Sequence, residues 1–359
     1  MSIKKIASAV GVSTSTVSRV LNNPDYRCSS SELREKIWNT AMKMNYVPNE
    51  AARQLKTGKV QTEKTYCINV LMTRMDAASS DPFFQELLRV VESEIHRQGC
   101  ILSKVWYRSL FSDDKRCRRE DVDAVIGRML EEADSPGDGL IIIGKCNHKA
   151  LVKLKQHFKA TVYVNRDSSQ GEVDEVICNG KKISRIAIEY LVELGHENIG
   201  YVGSCHNEAR YQGYIETLQD NGIDIDSDYI IETKQTEMEG FHAMEQLLNS
   251  DKCPTGIYCS NDITAIGMLK YLNKQKNRYY TPSIISSDGI EEAQYTTPML
   301  TTVQVSKEEM GKFALYLLLD RLRGGHRGNV KMELELECKL MKRDSCTPAE
   351  ESQWCEYYI

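Results

Sequence analysis

The chain has 359 residues, of which 41% are apolar, and its 46 Lys and Arg against 51 Asp and Glu give a net charge of −5. That length exceeds one ordinary domain and implies two or three, and the apolar fraction excludes a chain too polar to fold. The longest apolar runs, such as 140–143, are only strand-sized, which excludes a helical membrane span, and the first five residues do not read as an export signal. A cytoplasmic location is the expectation.

The twelve cysteines are scattered without a C-x-x-C pair, and the seven histidines are dispersed, so zinc-ligand spacing is absent. Reduced, mostly buried thiols are expected, with no metal and no cofactor. The charge is unevenly placed. Residues 1–60 hold ten basic and four acidic side chains, +6, and the remainder carries −11. A basic head on an acidic body fits a small nucleic-acid-binding module joined to a domain for a neutral ligand.

Ile3, Ile6, Ala7 and Val10 lie on one stripe of a short amphipathic helix, with Ser2 as its N-cap. Gly11-Val12-Ser13 then reads as a tight turn, in which Gly11 takes a left-handed conformation and Ser13 caps the next helix. That helix runs from about Thr14 to Leu21. Val17, Val20 and Leu21 face inward, Thr14, Ser15, Ser18 and Arg19 face outward, and Asn22-Asn23-Pro24 stops it. A third helix near 32–44 turns Leu33, Ile37, Ala41 and Met44 inward. Two short helices about a glycine turn, braced by a third, make a helix-turn-helix. Its outward residues suit a major groove: Arg19 can hold guanine through two hydrogen bonds, and Ser13 with the helix N-terminus can hold a phosphate.

The stretch 3–22 (IKKIASAVGVSTSTVSRVLN) and the stretch 46–58 (YVPNEAARQLKTG) closely resemble the head of the LacI/GalR family of transcription regulators. The resemblance implies that Thr14, Ser15 and Arg19 read bases and that Ser13, Ser18 and Asn22 touch the DNA backbone. It also implies a hinge helix over 49–56 in which Ala52, Arg53, Leu55 and Lys56 meet DNA, with Leu55 as an apolar wedge in the minor groove. About eight residues are too few for a stable isolated helix, since those shorter than about 12–15 residues are marginal in water. The hinge should therefore form only when DNA orders it.

After a polar linker, apolar strand-like runs at 66–72, 100–106, 140–143, 161–164, 199–202, 256–259 and 283–286 are separated by helix-like stretches. Those stretches are 83–98, 119–132, 149–157, 182–194, 208–221, 238–248, 265–274 and 307–323. Such alternation indicates parallel sheets with helices on both faces. The family landmarks DPFF (81–84), ELGHENI (193–199), SND (260–262) and PMLTTV (298–303) extend the resemblance to about Cys346. It implies a periplasmic-binding-protein-like body of two Rossmann-like subdomains joined by three crossovers.

The expected division is a DNA-binding domain 1–48, hinge and linker 49–65, an effector domain 66–346 and a tail 347–359. Subdomain one takes 66–178 and 304–330; subdomain two takes 179–303 and 331–346, with a last strand near 332–341.

Ligands of open α/β sheets bind at the carboxyl ends of strands. Sugars need planar two-donor or two-acceptor groups and an apolar ring face. The resemblance places effector contacts at Asp81, Phe83, Phe84, Asn165, Arg210, Asn261 and Asp288. Of Phe83 and Phe84, one is expected in the core, and Asp262 either caps the following helix or meets ligand. Asn165, Cys178, Gly289 and Val305 depart from residues common in relatives. The segments DPFF (81–84) and GLIIIGK (139–145) are similar to those of β-galactoside-operon repressors, which suggests a galactoside.

Gly139, Gly144 and Lys145 have phosphate-loop spacing, but the intervening Leu-Ile-Ile-Ile reads as a buried strand and Cys146 replaces the magnesium-binding hydroxyl. No G-x-S-x-G or H-E-x-x-H occurs, and His196 reads as a structural hydrogen-bonder. The expectation is a non-enzymatic, sugar-released repressor acting as a homodimer on a pseudo-palindromic operator. A transport-type sugar-binding protein and an enzyme on the same scaffold are the competing classes.

Overall fold

The structure, a computed structural model, describes residues 3–22, 30–44, 65–74, 81–133, 137–165, 168–169, 171–250, 252–275, 281–325 and 330–351. The expected hinge contacts Ala52, Arg53, Leu55 and Lys56, the Ser2 cap and most of the loop 73–81 lie outside these residues, as does the side chain of Asn22. The chain divides into two compact units, Met1–Thr65 and Tyr66–Ile359.

The first unit contains α1 (Ile3–Val10), α2 (Thr14–Asn22) and α3 (Ser31–Lys43). Ile6, Ala7 and Val10 meet Val17, Val20, Leu21, Ile37 and Ala41 in one small core, the positions set by the 3.6-residue period. Gly11, at φ 77°, closes α1 by donating its N–H to Ala7 O. The Ser13 hydroxyl accepts from Thr16 N at 3.1 Å and so caps α2.

The second unit holds two six-stranded sheets. Strands β1 (Cys67–Met72), β2 (Ile101–Tyr107), β3 (Gly139–Ile143), β4 (Ala160–Asn165) and β5 (Asp174–Ile177) belong to the first. Strands β6 (Ile199–Gly203), β7 (Ile230–Glu232), β8 (Gly256–Cys259), β9 (Ser283–Asp288) and β10 (Thr301–Val305) belong to the second. The last two strands, β11 (Glu333–Glu335) and β12 (Cys338–Met341), are divided between them. The sheet orders are β11-β5-β4-β3-β1-β2 and β12-β10-β9-β8-β6-β7, the same strand order twice. Every pairing is parallel except β10 with β12.

The strands read as near-continuous apolar runs because helices cover both faces; β3 and β6 are buried along their whole length. In the first lobe, α4 (Pro82–Arg97) lies on one face, and α5 (Asp114–Arg119), α6 (Val122–Glu131) and α7 (His148–Leu154) follow. Leu71, Trp106, Phe111, Leu140, Ile142 and Leu151 form one core against that sheet. In the second lobe, α8 (Gly180–Glu193), α9 (Ala209–Asp220), α10 (Glu237–Leu248) and α11 (Asp262–Lys274) surround the sheet. Helix α12 (Lys307–Arg323) returns to the first lobe and buries Met310, Leu315 and Leu318 there.

The chain crosses between lobes after Ile177, Val305 and Glu335. One expected boundary needs correction: the supposed single strand near 332–341, assigned whole to subdomain two, is two strands. Glu333–Glu335 extends the first sheet beside β5, and only Cys338–Met341 enters the second. The alternating Glu-Leu-Glu-Leu-Glu pattern carries no break where the chain changes sheets. The described part of the tail is also no appendage, since Ala349 N donates to Leu194 O and Thr347 O bonds His196 Nε2 at 3.0 Å. Gly139–Ile143 is a buried central strand, as its composition implied.

Candidate functional site

In each lobe the strand order reverses at one point, between β1 and β3 and between β6 and β8, and the loops leaving these strands open the crevice that α/β sheets use for ligands. Here the two crevices face each other. One compartment of about 560 Å³ is lined by Arg74 and Ser112 of the first lobe and by Ser204, Glu232, Thr233, Lys234, Gln235 and Glu239 of the second. A much smaller one, about 50 Å³, is lined by Arg74, Phe84, Lys145 and Asn165 opposite Ser204, His206, Asn207 and Glu208. The first lies in the volume range of small-molecule sites, ≈ 300–1,000 Å³.

Arg74 separates the two. Its Nη2 donates across the cleft to Gln235 Oε1 at 2.9 Å. The Arg74 side chain lies over Gly144, where a Cβ would stand 2.8 Å from Arg74 Cγ and 2.9 Å from Thr73 Oγ1. Gly144 also adopts φ 95°, so glycine is required twice over. Gln235 is itself at φ 60°, a conformation uncommon for a side-chain-bearing residue, and its Nε2 reaches Glu208 Oε2 at 3.4 Å.

Glu208 caps α9 and grips Arg210. Its Oε1 accepts from Arg210 Nε at 2.7 Å and its Oε2 from Arg210 Nη2 at 3.0 Å. Arg210 Nη1 donates to Ser260 O and lies 3.9 Å from Asp288 Oδ1. Burial alone would lower the Arg210 pKa; the carboxylates of Glu208 and Asp288 more than reverse this and hold the guanidinium charged.

The remaining expected contacts take distinct places. Asp81 accepts from Phe83 N at 3.1 Å and caps α4, with Pro82 at the first helical position. Phe83 and Phe84 are both buried, edge to face at 5.1 Å; Phe84 lines the small compartment. Asn165 ends β4, lines that compartment and donates to Tyr163 OH at 2.9 Å. Asn261 caps α11 through Thr264 N and donates Nδ2 to Gln235 O at 3.2 Å. Asp288 ends β9 at φ 123° and is buried. Asp262 is not the helix cap, a place that Asn261 takes; it is buried, and its carboxylate accepts from Ser286 Oγ, from Thr302 Oγ1 at 2.6 Å and from Ile290 N at 2.8 Å. Burial raises its pKa, an effect these donors only partly offset.

The structure thus sets Phe84 and Asn165 in the lining of the cleft and buries Arg210, Asn261 and Asp288 behind it, with Arg210 bonded to Glu208, Asn261 to Gln235 and Asp288 beside Arg210. It adds Arg74, His206, Glu208 and Gln235, which sequence reasoning missed, and returns Lys145 to the cleft in another role. A loop that bends back after a strand carries no periodic signal, so only a Gly-Lys pair directly after the 140–143 run marked the place.

In the first unit, Thr14, Ser15 and Arg19 are exposed on α2 and Ser18 is half-buried. Ser13 Oγ bonds Ser15 Oγ at 2.7 Å and Thr16 Oγ1 at 2.8 Å, a hydroxyl cluster at the N-terminus of α2.

Comparison with known proteins gives matches over most of the chain. Residues 2–49 match the description "Bacterial regulatory proteins, lacI family", and residues 188–346 match "Periplasmic binding protein-like domain". The HTH-type transcriptional repressor CytR of Escherichia coli (strain K12) is 29% identical over 354 residues, 96% of this chain and 95% of the relative. The repressor PurR of Mannheimia succiniciproducens is 28% identical over 96% of this chain and 98% of its own length. Among solved structures, a LacI family transcriptional regulator from Enterococcus faecium with bound ribose aligns at TM-score 0.64 and 25% identity, covering 79% of this chain and 99% of that one. The lac repressor dimer bound to operator and an anti-inducer aligns at TM-score 0.63 over 97% of this chain and 99% of that one; at 22% identity it shows the fold alone.

A helix-turn-helix head and a two-lobed, cleft-bearing body in one chain define a ligand-responsive transcriptional repressor. The relatives are repressors, not enzymes. The head is a LacI-family helix-turn-helix domain, and it is joined to a periplasmic-binding-protein-like domain.

Proposed function

We propose that this repressor binds a two-fold-related operator as a homodimer and is released by a small polar effector, a sugar or sugar-containing molecule, held between the lobes. One observation carries the reading: the compartment of about 560 Å³ is walled by both lobes, so any ligand filling it contacts both and biases their relation. Bound ribose in the Enterococcus faecium relative supports the effector class.

On the DNA side, Ser13, Thr14, Ser15, Ser18, Arg19 and Asn22 are the proposed groove and backbone contacts, and Ala52, Arg53, Leu55 and Lys56 the proposed hinge contacts. Effector coupling of this kind is typically about 1–3 kcal/mol. The proposed self-association face is a groove on the second lobe in which Ile263, Ile266, Leu269 and Tyr295 stand among polar residues such as Glu237, Lys270 and Glu292, and where Tyr295 is 76% exposed. A cytoplasmic site of action goes with this role, and among the described residues no helix is long and apolar enough to cross a membrane.

The experiment is selection of a binding sequence from random duplex DNA, followed by titration of the selected site with and without a panel of sugars, galactosides first. Salt-sensitive, sequence-selective binding that one sugar weakens is the expected result. A folded protein that selects no sequence would overturn the reading.

A further inference from the structure

The turn Asp288–Glu291 leads from the end of β9 into a short 3-10 helix, Glu291–Gln294, and its backbone is strained. Asp288 stands at φ 123° and Gly289 at φ 65°, successive residues in the region that side chains disfavour. Gly289 is packed so closely that a Cβ there would lie 2.8 Å from Gln304 Cα. Such a conformation persists only where the surroundings hold it. Side chains from separate elements do so here. Gly289 N donates to Thr302 Oγ1 of β10 at 3.3 Å and Ile290 N to Asp262 Oδ2 of α11 at 2.8 Å, both within the second lobe. The rest of the support comes from the first lobe. Glu291 N donates to Glu86 Oε1 of α4 at 3.1 Å. Lys307, the first residue of α12, donates from Nζ to Asp288 O at 3.1 Å and to Gly289 O at 2.7 Å. The same ammonium lies 3.0 Å from Glu86 Oε2, so its donors are fully used.

We propose that Glu86 and Lys307 are positioning residues that make this turn the element through which the relation of the lobes is felt at Asp288. The inference rests on the reading of the cleft as the effector site. Asp288 is the residue of the turn at which the resemblance places an effector contact, and its carboxylate stands 3.9 Å from Arg210 Nη1. Arg210 is held in turn by Glu208, which lines the small compartment. The path from α4 to the cleft therefore runs through a backbone segment that neither lobe holds alone. Separation of the lobes withdraws Glu86 and Lys307 together, because they are paired with each other. It takes the Lys307 donor from the carbonyls of Asp288 and Gly289 and the Glu86 acceptor from Glu291 N, and the strained turn loses part of its support. An effector that changes the relation of the lobes resets the turn; by linkage, one that moves Asp288 or Arg210 biases the lobes. Glu86 and Lys307 stand outside the described lining of both compartments, so they act through the turn and not by touching ligand.

The test is residue-resolved hydrogen exchange on the full chain without ligand, comparing the wild type with Lys307→Met and Glu86→Gln. Lys307→Met keeps an apolar stem beside Phe83, whose ring centre lies 5.6 Å from Nζ, and removes every bond of the ammonium. Glu86→Gln keeps an acceptor for Glu291 N and removes the charge that pairs Lys307. In both variants the amides of Gly289 and Ile290, whose own acceptors are unchanged, should exchange about tenfold or more faster, a shift of about 1.4 kcal/mol in local opening. The Arg210 amide, which donates to Glu208 Oε1 at 3.3 Å, should follow. Amides of β3 and β8 should keep their wild-type rates.

Acceleration confined to Glu291 would reduce Glu86 to a local contact and overturn the inference. Unchanged rates at Gly289 and Ile290 in Lys307→Met would overturn it too. So would uniform acceleration through β3 and β8, which would make the pair a support of the whole fold. None of these readouts needs an effector, so failure of the effector reading shows separately, as a wild-type protein that no sugar of the panel stabilises.

Discussion

Arg321, near the end of α12, lays its guanidinium along the carboxylate of Asp174, at the start of β5, with Nε 2.6 Å from Oδ2 and Nη2 2.7 Å from Oδ1. The same carboxylate accepts from Met332 N at 3.0 Å. One buried acid therefore ties together an edge of the first sheet, the returning helix and the lead into β11. Burial alone would raise its pKa, but the Arg321 and Met332 bonds outweigh burial and lower it. An acid with a lowered folded pKa contributes stability above its unfolded pKa, about 3.9 for Asp, and loses it as pH falls through the folded value. Asp174→Asn should destabilise at neutral pH by about 3–5 kcal/mol, the usual cost of breaking a buried pair. It should also flatten the loss of stability below about pH 4. Urea melts from pH 2 to 7 measure both, and an unchanged acid limb would count against the assignment.

Arg210→Met should strand two carboxylates, Glu208 and Asp288, beside a buried apolar side chain. The expected cost is again about 3–5 kcal/mol of stability. The second substitution Glu208→Gln, made in the Arg210→Met background, should recover part of it. A double-mutant cycle on unfolding free energies tests this, and additive effects would mean the pair is not coupled.

Leu55→Ala should weaken operator binding strongly and leave effector affinity at the wild-type value, because the wedge acts only on DNA. Paired fluorescence titrations of DNA and effector decide it. Equal operator affinity in the two proteins would remove the hinge role from Leu55.

Tyr295→Arg should convert the proposed dimer to monomer in sedimentation experiments at micromolar protein, since it replaces the exposed aromatic side chain of the groove with a charged one. The monomer should retain effector binding and lose operator affinity, because each half-site then acts alone. A variant that remains dimeric would move the association face elsewhere.

The parallel strands were legible in the sequence because burial on both faces leaves uninterrupted apolar runs, as at Gly139–Ile143. Strand β5, Asp174-Glu-Val-Ile, was not, since its two acids are buried through partners outside the strand, Arg321 for Asp174 and Ser168 and Ser169 for Glu175. Strand β7 has only three residues, too few for a period. Behind the cleft, Arg210 and Asp288 were named through a resemblance, and their surroundings were not. That Glu208 occupies the Arg210 fork depends on the turn before α9, and that Arg74 reaches Gln235 depends on two loops 161 residues apart.

The division of the last two strands between the sheets also bears on how the protein is made. The first lobe is completed by α12 and β11, and both are synthesised after the whole of the second lobe's five leading strands. On the ribosome the residues before Cys178 emerge as an open sheet whose β5 edge has no partner until Glu333–Glu335 appears. The second lobe waits likewise for its own edge strand, β12, which emerges directly after β11. The exposed β5 edge, with its two acids and the pairing they discourage, is where a nascent chain would need protection from association.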